Sequence, residues 1–399
     1  MIEIKPNIQH PSTCPHCEAP LKPKTILWQG MHVCVESKCV SCHTKIIEDL
    51  EVGHAVNFPY QVDLAKHEVY GHEFCKYWLG EKLLVSLQNP QEEKLGISKE
   101  VFKCHQRVLI LNCIDYLYGH SLLKLLNAQR HLDNYPDYGL IVIVPKFLRW
   151  MVPEGVAEIW TVNIPLKRGQ CYYPNFDRFV SEECQRFDDI YVSKAHSHPS
   201  HFDISKFTRI PQYNFDKYPP RITFIWRDDR IWCNALLSTS LRKLKMLDIA
   251  LKLQNARVQK LFSKIRDRVP EAKFAIAGLG RKTQFPDWIE DLRVDKFNAE
   301  TEREICQIYA ESRLVIGVHG SNMLLPSGHA GMTLDLMPED RWGNLAQDIL
   351  YQEADARLAA FRYRYVSLQT PLAEIAAIAS SMMLHYTEFK QNMTADKYL

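Results

Sequence analysis

Four cysteines form two Cys-x-x-Cys pairs, Cys14 with Cys17 in CPHC and Cys39 with Cys42 in CVSC, separated by 21 residues. Each pair can fold into a knuckle that gives two thiolates to one ion, and two knuckles complete a tetrahedral sulfur site, the preference of zinc. Four thiolates leave no position open for water. One structural zinc ion is therefore expected, holding a segment too small to fold on its own core. Cys34, His16, His32 and His43 are near enough in sequence to substitute, and the intervening TILWQGMHVCVE reads as a short β-ribbon.

A second set of polar residues recurs where apolar runs end. Arg227, Asp228, Asp229 and Arg230 follow ITFIW, Gly278 and Gly280 follow KFAIA, and His319, Gly320, Ser321 and Asn322 follow LVIGV. Taken singly, each has a plain structural explanation. Arg227 could pair with Asp228 or Asp229, and Ser321 could be a helix N-cap. Taken together they suit a diphosphate. Arginine offers a permanently charged fork for phosphate oxygens, Gly320 lets backbone come close to a ligand, and a following helix presents N–H groups. Asp335, in the next run TLDLMP, is placed to accept from a ribose or sugar hydroxyl.

These residues need strands and helices to hold them. The text from RVLILNC to EIWTVNIP predicts a strand over 108–113, a helix over 121–131 and strands over 140–144 and 158–162. Strands apolar throughout, alternating with helices, imply a parallel sheet covered on both faces, with ligands at its carboxyl edge. The loop at residues 114–120 sits at that edge. Asp115 and His120 there are candidate proton acceptors, with loop capping and surface exposure as their alternatives. A second alternating block starts at ITFIWRDDR and includes a helix over 241–269, whose many cations form the solvated face of an amphipathic helix or, alternatively, meet an acidic membrane surface. Between the blocks, residues 165–220 are loop-rich, and His196, His198 and His201 in AHSHPSH read as a solvated segment. LAKHEVYGHEFCKYWLGEKLL is a helical candidate, but His72-Glu73 lacks the second histidine of a metalloprotease HExxH.

The domain reading is 1–50 zinc ribbon, 51–100 linking segment, 101–215 N-terminal α/β lobe on the acceptor side, 216–370 C-terminal α/β lobe on the nucleotide-sugar side and 371–399 closing helix. In 399 residues, Lys plus Arg exceed Asp plus Glu by 49 − 47 = +2, too little for a dedicated nucleic-acid binder. Neither a secretory signal nor a bilayer-length apolar run is evident. A cytoplasmic location is expected, peripheral to the inner face of the membrane if the basic helix contacts it. Twelve cysteines, five of them between Cys14 and Cys42, fit reduced thiols better than a disulfide framework.

The order strand-Arg, strand-Gly, IGVHGSNML and MTLDLMP, over roughly 222–338, resembles the C-terminal lobe of GT-B-fold glycosyltransferases, most closely glycosyltransferase family 61. His319, Gly320 and Ser321 match its turn, Asp335 to Pro338 match its acidic-x-x-Pro end with Asp for the usual Glu, and Arg227 matches its strand-end arginine; Leu324 and Leu325 stand where the family has Asn. The resemblance implies α/β architecture with two facing Rossmann-like lobes. It also implies sugar transfer from a nucleotide diphosphate sugar to a glycan or lipid-linked acceptor, with arginine rather than a divalent metal meeting the diphosphate. No Asp-x-Asp is placed to hold one. Two other readings are a polysaccharide pyruvyltransferase-like enzyme using phosphoenolpyruvate, and a non-catalytic protein whose zinc ribbon docks a partner.

Overall fold

The computed structural model describes every residue except 196–201, 216, 234–245, 281–282, 346, 348, 351–361 and 389–399. His196, His198 and His201, and the cations Arg242, Lys243 and Lys245, lie outside the described residues. The chain divides into two compact units, Met1–Asp203 and Ile204–Leu399. Among the described residues no helix is long and apolar enough to cross a membrane.

The first unit opens with β1 (Ile2–Lys5), followed by the antiparallel meander β2 (Leu21–Trp28), β3 (Val33–Cys39), β4 (Lys45–Asp49), β5 (Tyr60–Asp63) and β6 (Glu68–Gly71). After it come α1 (Glu81–Gln88), β7 (Ile97–Val101), β8 (Arg107–Asn112), α2 (Tyr118–Asn134), β9 (Gly139–Pro145), β10 (Glu158–Val162), α3 (Pro174–Cys184) and β11 (Asp189–Val192). A second sheet has the order β1-β11-β8-β9-β10-β7. Its four inner strands are parallel, and β1 and β7 add antiparallel edges. β9 and β10 are buried at every position, as strands covered on both faces must be, whereas β7 is mostly exposed and carries Ser98, Lys99 and Glu100.

Residues 51–100 are built into both sheets: β5 and β6 complete the meander and β7 pairs with β10. The helical candidate at 64–84 starts as a strand instead. His67 turns at φ 59° and Gly71 at φ 140°, and between them Val69 and Tyr70 pair with β5; helix follows only from Glu73. One apolar core joins Trp28, Val33 and Val35 of the meander to Ile110, Ile141 and Trp160 of the larger sheet. The tip of the ribbon has a separate cluster of just Cys14, Leu21, Cys39 and Ile46. So small a core cannot hold the tip unaided.

The second unit contains β12 (Arg221–Arg227), α4 (Leu247–Arg266), β13 (Lys273–Leu279), β14 (Ile289–Val294), α5 (Ala299–Glu311), β15 (Ser312–Val318), α6 (Leu324–His329), β16 (Met332–Met337), β17 (Tyr363–Ser367) and α7 (Leu372–Leu384). Its sheet is parallel throughout, in the order β14-β13-β12-β15-β16-β17. From β12 the chain winds outward to β14, then returns to the other side of β12 as β15. Helix α4 buries Leu251, Val258, Leu261, Phe262 and Ile265 against the sheet at the expected helical spacing.

Gly278 is fixed by packing. It holds φ 129°, and an added Cβ would lie 2.2 Å from the Trp226 carbonyl oxygen. Gly278→Ala is expected to cost about 1–3 kcal/mol in a thermal or urea melt. Gly343→Ala, with nothing within 4 Å, should leave the melt unchanged.

Candidate functional site

In a doubly wound sheet, ligands bind outside the carboxyl ends of the two strands where the winding reverses. In the second unit those strands are β12, which ends at Arg227, and β15, which ends at Val318 and leads into His319. The turn after β12 reads Arg-Asp-Asp-Arg rather than the glycine-rich run of a dinucleotide site.

His319 continues the β15 ladder by one step, its N–H donating to the Leu336 carbonyl at 3.0 Å. Its Nδ1 lies 2.8 Å from Asp335 Oδ2, and the Tyr363 hydroxyl donates to the same oxygen at 3.1 Å. All three side chains are buried. Asp335, expected to meet a sugar hydroxyl, therefore acts as the partner that sets the His319 ring. The reason is its position on β16, which is buried along its whole length. With Nδ1 directed at a carboxylate, the neutral ring keeps its proton there and Nε2 is the acceptor.

Gly320 holds φ 146°, and a Cβ there would stand 3.1 Å from Arg230 Cζ and 3.1 Å from Asn322 Oδ1. The Arg230 guanidinium thus lies on the turn, and Asn322 Nδ2 closes it by donating to the Val318 carbonyl at 3.1 Å. Gly320, not Ser321, occupies the cap position, and Ser321 opens a 3-10 turn over Ser321–Met323 without a side-chain cap. Arg227 is held by Asp229 in a two-pronged pair, Nε to Oδ1 and Nη2 to Oδ2, both 2.9 Å. Burial would raise the Asp229 carboxyl, but Arg227 and then Arg230 outweigh it and hold it below the usual range. Gly278 serves Trp226, whose ring is buried between Gly280 and Arg293. Trp226 and Trp232 are core residues.

The first unit has its own reversal, at β8 and β11. Asp115, just past β8, is buried, with Lys124 Nζ at 3.0 Å and His54 Nε2 at 3.2 Å from Oδ2, and His120 Nδ1 at 3.4 Å from Oδ1. Lys124 also donates to the Ile114 carbonyl at 2.9 Å, and the Leu117 N–H to Asp115 Oδ1 at 3.1 Å. Burial alone would raise the Asp115 carboxyl; Lys124 first, then His120 and His54, drive it well below the ordinary range. Such a carboxylate is a poor proton acceptor and a good anchor. His120, a quarter exposed, is the member solvent can reach.

His54 and Lys124 were not candidates from sequence. His54 packs on Trp78 at 4.9 Å and on His120 at 4.8 Å. His54, Asp115 and His120 each offer a ligand atom within 4.8 Å of the others, a spacing a cation could use. Lys124 already supplies a positive charge to that carboxylate, which leaves a cation less to gain there.

Burial, opposed by Asp115, lowers the His54 pKa, and burial with Arg130 lowers that of His131 to about 3. Both rings fold as neutral groups. Their stabilising effect is complete above the ordinary imidazole range and is lost as pH falls through it toward the lowered values. The melting temperature of the first unit is expected to fall on acidification from neutral pH. His131→Gln should flatten that slope, and an unchanged slope would refute the assignment.

At the ribbon tip Cys14 Sγ lies 3.6 Å from Cys42 Sγ and Cys17 Sγ 3.5 Å from Cys39 Sγ, with all four sulfurs within 4.8 Å. A tetrahedron with ~2.3 Å metal–sulfur bonds has sulfurs about 3.8 Å apart. The Ser41 and Cys42 N–H groups donate to Cys39 Sγ at 3.4 Å, as in a metal knuckle. Four cysteines this close could hold a metal ion such as zinc. Three of the four alternatives are engaged elsewhere: His16 with Asp63, His32 with Asp49, and Cys34 in the core.

The chain matches no protein-family model and no curated protein. Among solved structures, the crystal structure of a GtfA/B complex is similar at TM-score 0.28 and 10% identity, over 92% of this chain and 62% of that one. This chain thus covers less than two thirds of that one, and a similarity this slight assigns neither fold nor activity.

Proposed function

We propose that the chain is a glycosyltransferase that moves a sugar from a nucleotide diphosphate sugar to a hydroxyl acceptor. The observation that carries this is the Arg230 guanidinium against the Gly320 turn, at the strand ends where the sheet of the second unit reverses. A reversal point is where such sheets take nucleotides. A guanidinium and a glycine turn there suit a diphosphate, whose charge grows as the sugar departs. Arg227, held by Asp229 in a two-pronged pair, ends the same strand, and His319, set by Asp335, adds a polar wall. No family membership beyond this chemistry is needed.

The acceptor hydroxyl must lose a proton. Within the first unit the proton acceptor we propose is His120, whose Nδ1 lies 3.4 Å from an Asp115 that Lys124 keeps ionised. A glycan or lipid-linked alcohol would suit as acceptor.

The test is nucleotide release from UDP-, GDP- and TDP-sugars by the purified chain. Release from at least one donor is expected, and Arg230→Ala should slow it about 10²–10³-fold, the cost of removing one charge-stabilising donor. Equal release by Arg230→Ala, or none from any donor by the wild type, would refute the proposal.

A further inference from the structure

Helix α4 carries one stripe that the sheet does not cover. Met246, at its N-cap, and Ile249 and Leu253 recur at i, i+3 and i+7 and are 40%, 44% and 56% exposed. Arg257, Lys260 and Lys264 continue the same stripe at i+11, i+14 and i+18, so it passes from apolar to basic with no acidic residue in it. Helix α7 packs on α4. Leu372, at the start of α7, lines one cleft with Ser263 and Arg266 near the end of α4, so the two helices run antiparallel. Leu384, 58% exposed at the end of α7, therefore lies toward the apolar end of α4.

The basic end is shaped to receive something. A cleft of about 690 Å³ is lined by Arg257, Lys260, Ser263, Arg266, Trp288 and Leu372. Its two arginines are braced on aromatic rings, Arg257 over Trp232 at 4.6 Å and Arg266 over Trp288 at 4.0 Å, which fixes their forks without neutralising them. Exposed large apolar side chains alone would suit several partners. Apolar side chains continuous with a braced cationic cleft suit an anionic bilayer, whose headgroup phosphates meet the cations while the apolar residues enter the interface.

We propose that this face, Met246 to Lys264 of α4 with the Trp288 cleft, docks the protein on an anionic lipid surface. The inference stands apart from the sugar-transfer reading, because none of these residues belongs to either strand-end site.

Flotation of the full-length protein with vesicles of phosphatidylcholine, with and without an equal part of phosphatidylglycerol, tests it. Binding is expected only when phosphatidylglycerol is present, and should weaken in high salt. Lys260→Glu, which reverses one charge, should weaken it about tenfold or more. Leu253→Asp should abolish the fraction that survives salt, and as an exposed position it should leave the melting temperature unchanged. The proposal is overturned if the wild type binds neither vesicle, or if both variants bind phosphatidylglycerol vesicles as it does. It is also overturned if Leu253→Asp turns a dimer into a monomer, which would mark the face as a contact between two copies.

Discussion

Replacing Cys39 with serine is expected to release the metal and unfold the ribbon tip. Wild-type protein should contain one zinc per chain by elemental analysis, and Cys39→Ser none. The effect should be large because the tip has little else to hold it. Its apolar cluster is four residues, two of which are the ligands Cys14 and Cys39. Binding to such sites is worth about 10–16 kcal/mol near neutral pH, and it is folding free energy where no preformed site exists. The unfolding should be local. Trp28, Val33 and Val35 lie in the larger core, so limited proteolysis should cut between residues 14 and 44 while the rest resists. A wild type that is metal-free and equally resistant would remove the metal from the account.

The other large effect is expected at Lys124. It is 4% exposed and lies 3.0 Å from a carboxylate that is itself 2% exposed, so Lys124→Met leaves Asp115 buried without its cation. Removing one member of such a pair costs about 3–5 kcal/mol. Restoring the balance by adding Asp115→Asn should recover most of that loss, because the penalty comes from the unpaired charge rather than from a lost methylene packing. Asp115 is held well below the ordinary carboxylate range, so its contribution is present above that range and fades as pH drops beneath it. The Lys124→Met deficit should shrink accordingly in acid. If the two substitutions simply add, Lys124 and Asp115 are not the coupled pair described.

How much of this was legible follows from how local each signal is. Both cysteine knuckles close within four residues, so their spacing alone carried the site. His319 follows the end of β15 and Asp335 lies within the adjacent β16, and two apolar runs in succession imply that proximity. What the runs could not show was depth: β16 lies inside the sheet, which turns Asp335 from a ligand group into a support. The sequence groups Gly278 with the phosphate contacts, but the Trp226 carbonyl takes the space a side chain would need. His54 comes from 61 residues before Asp115, with no periodicity linking them. The available signal was Lys124 itself, a cation inside the apolar run SLLKLLNA, where a buried charge demands a carboxylate partner. Helical spacing of the apolar residues masks strand Glu68–Gly71, and the signal against it is the pair of turn residues that bound it, His67 and Gly71.

A thermal-shift series with UDP, GDP and TDP, with phosphoenolpyruvate alongside, tests most directly whether the turn formed by Arg230 and Gly320 binds a nucleotide diphosphate. At least one nucleotide should raise the melting temperature, and Arg230→Ala should abolish that rise without lowering the unliganded melt. No rise with any nucleotide, or a rise with phosphoenolpyruvate alone, would contradict it.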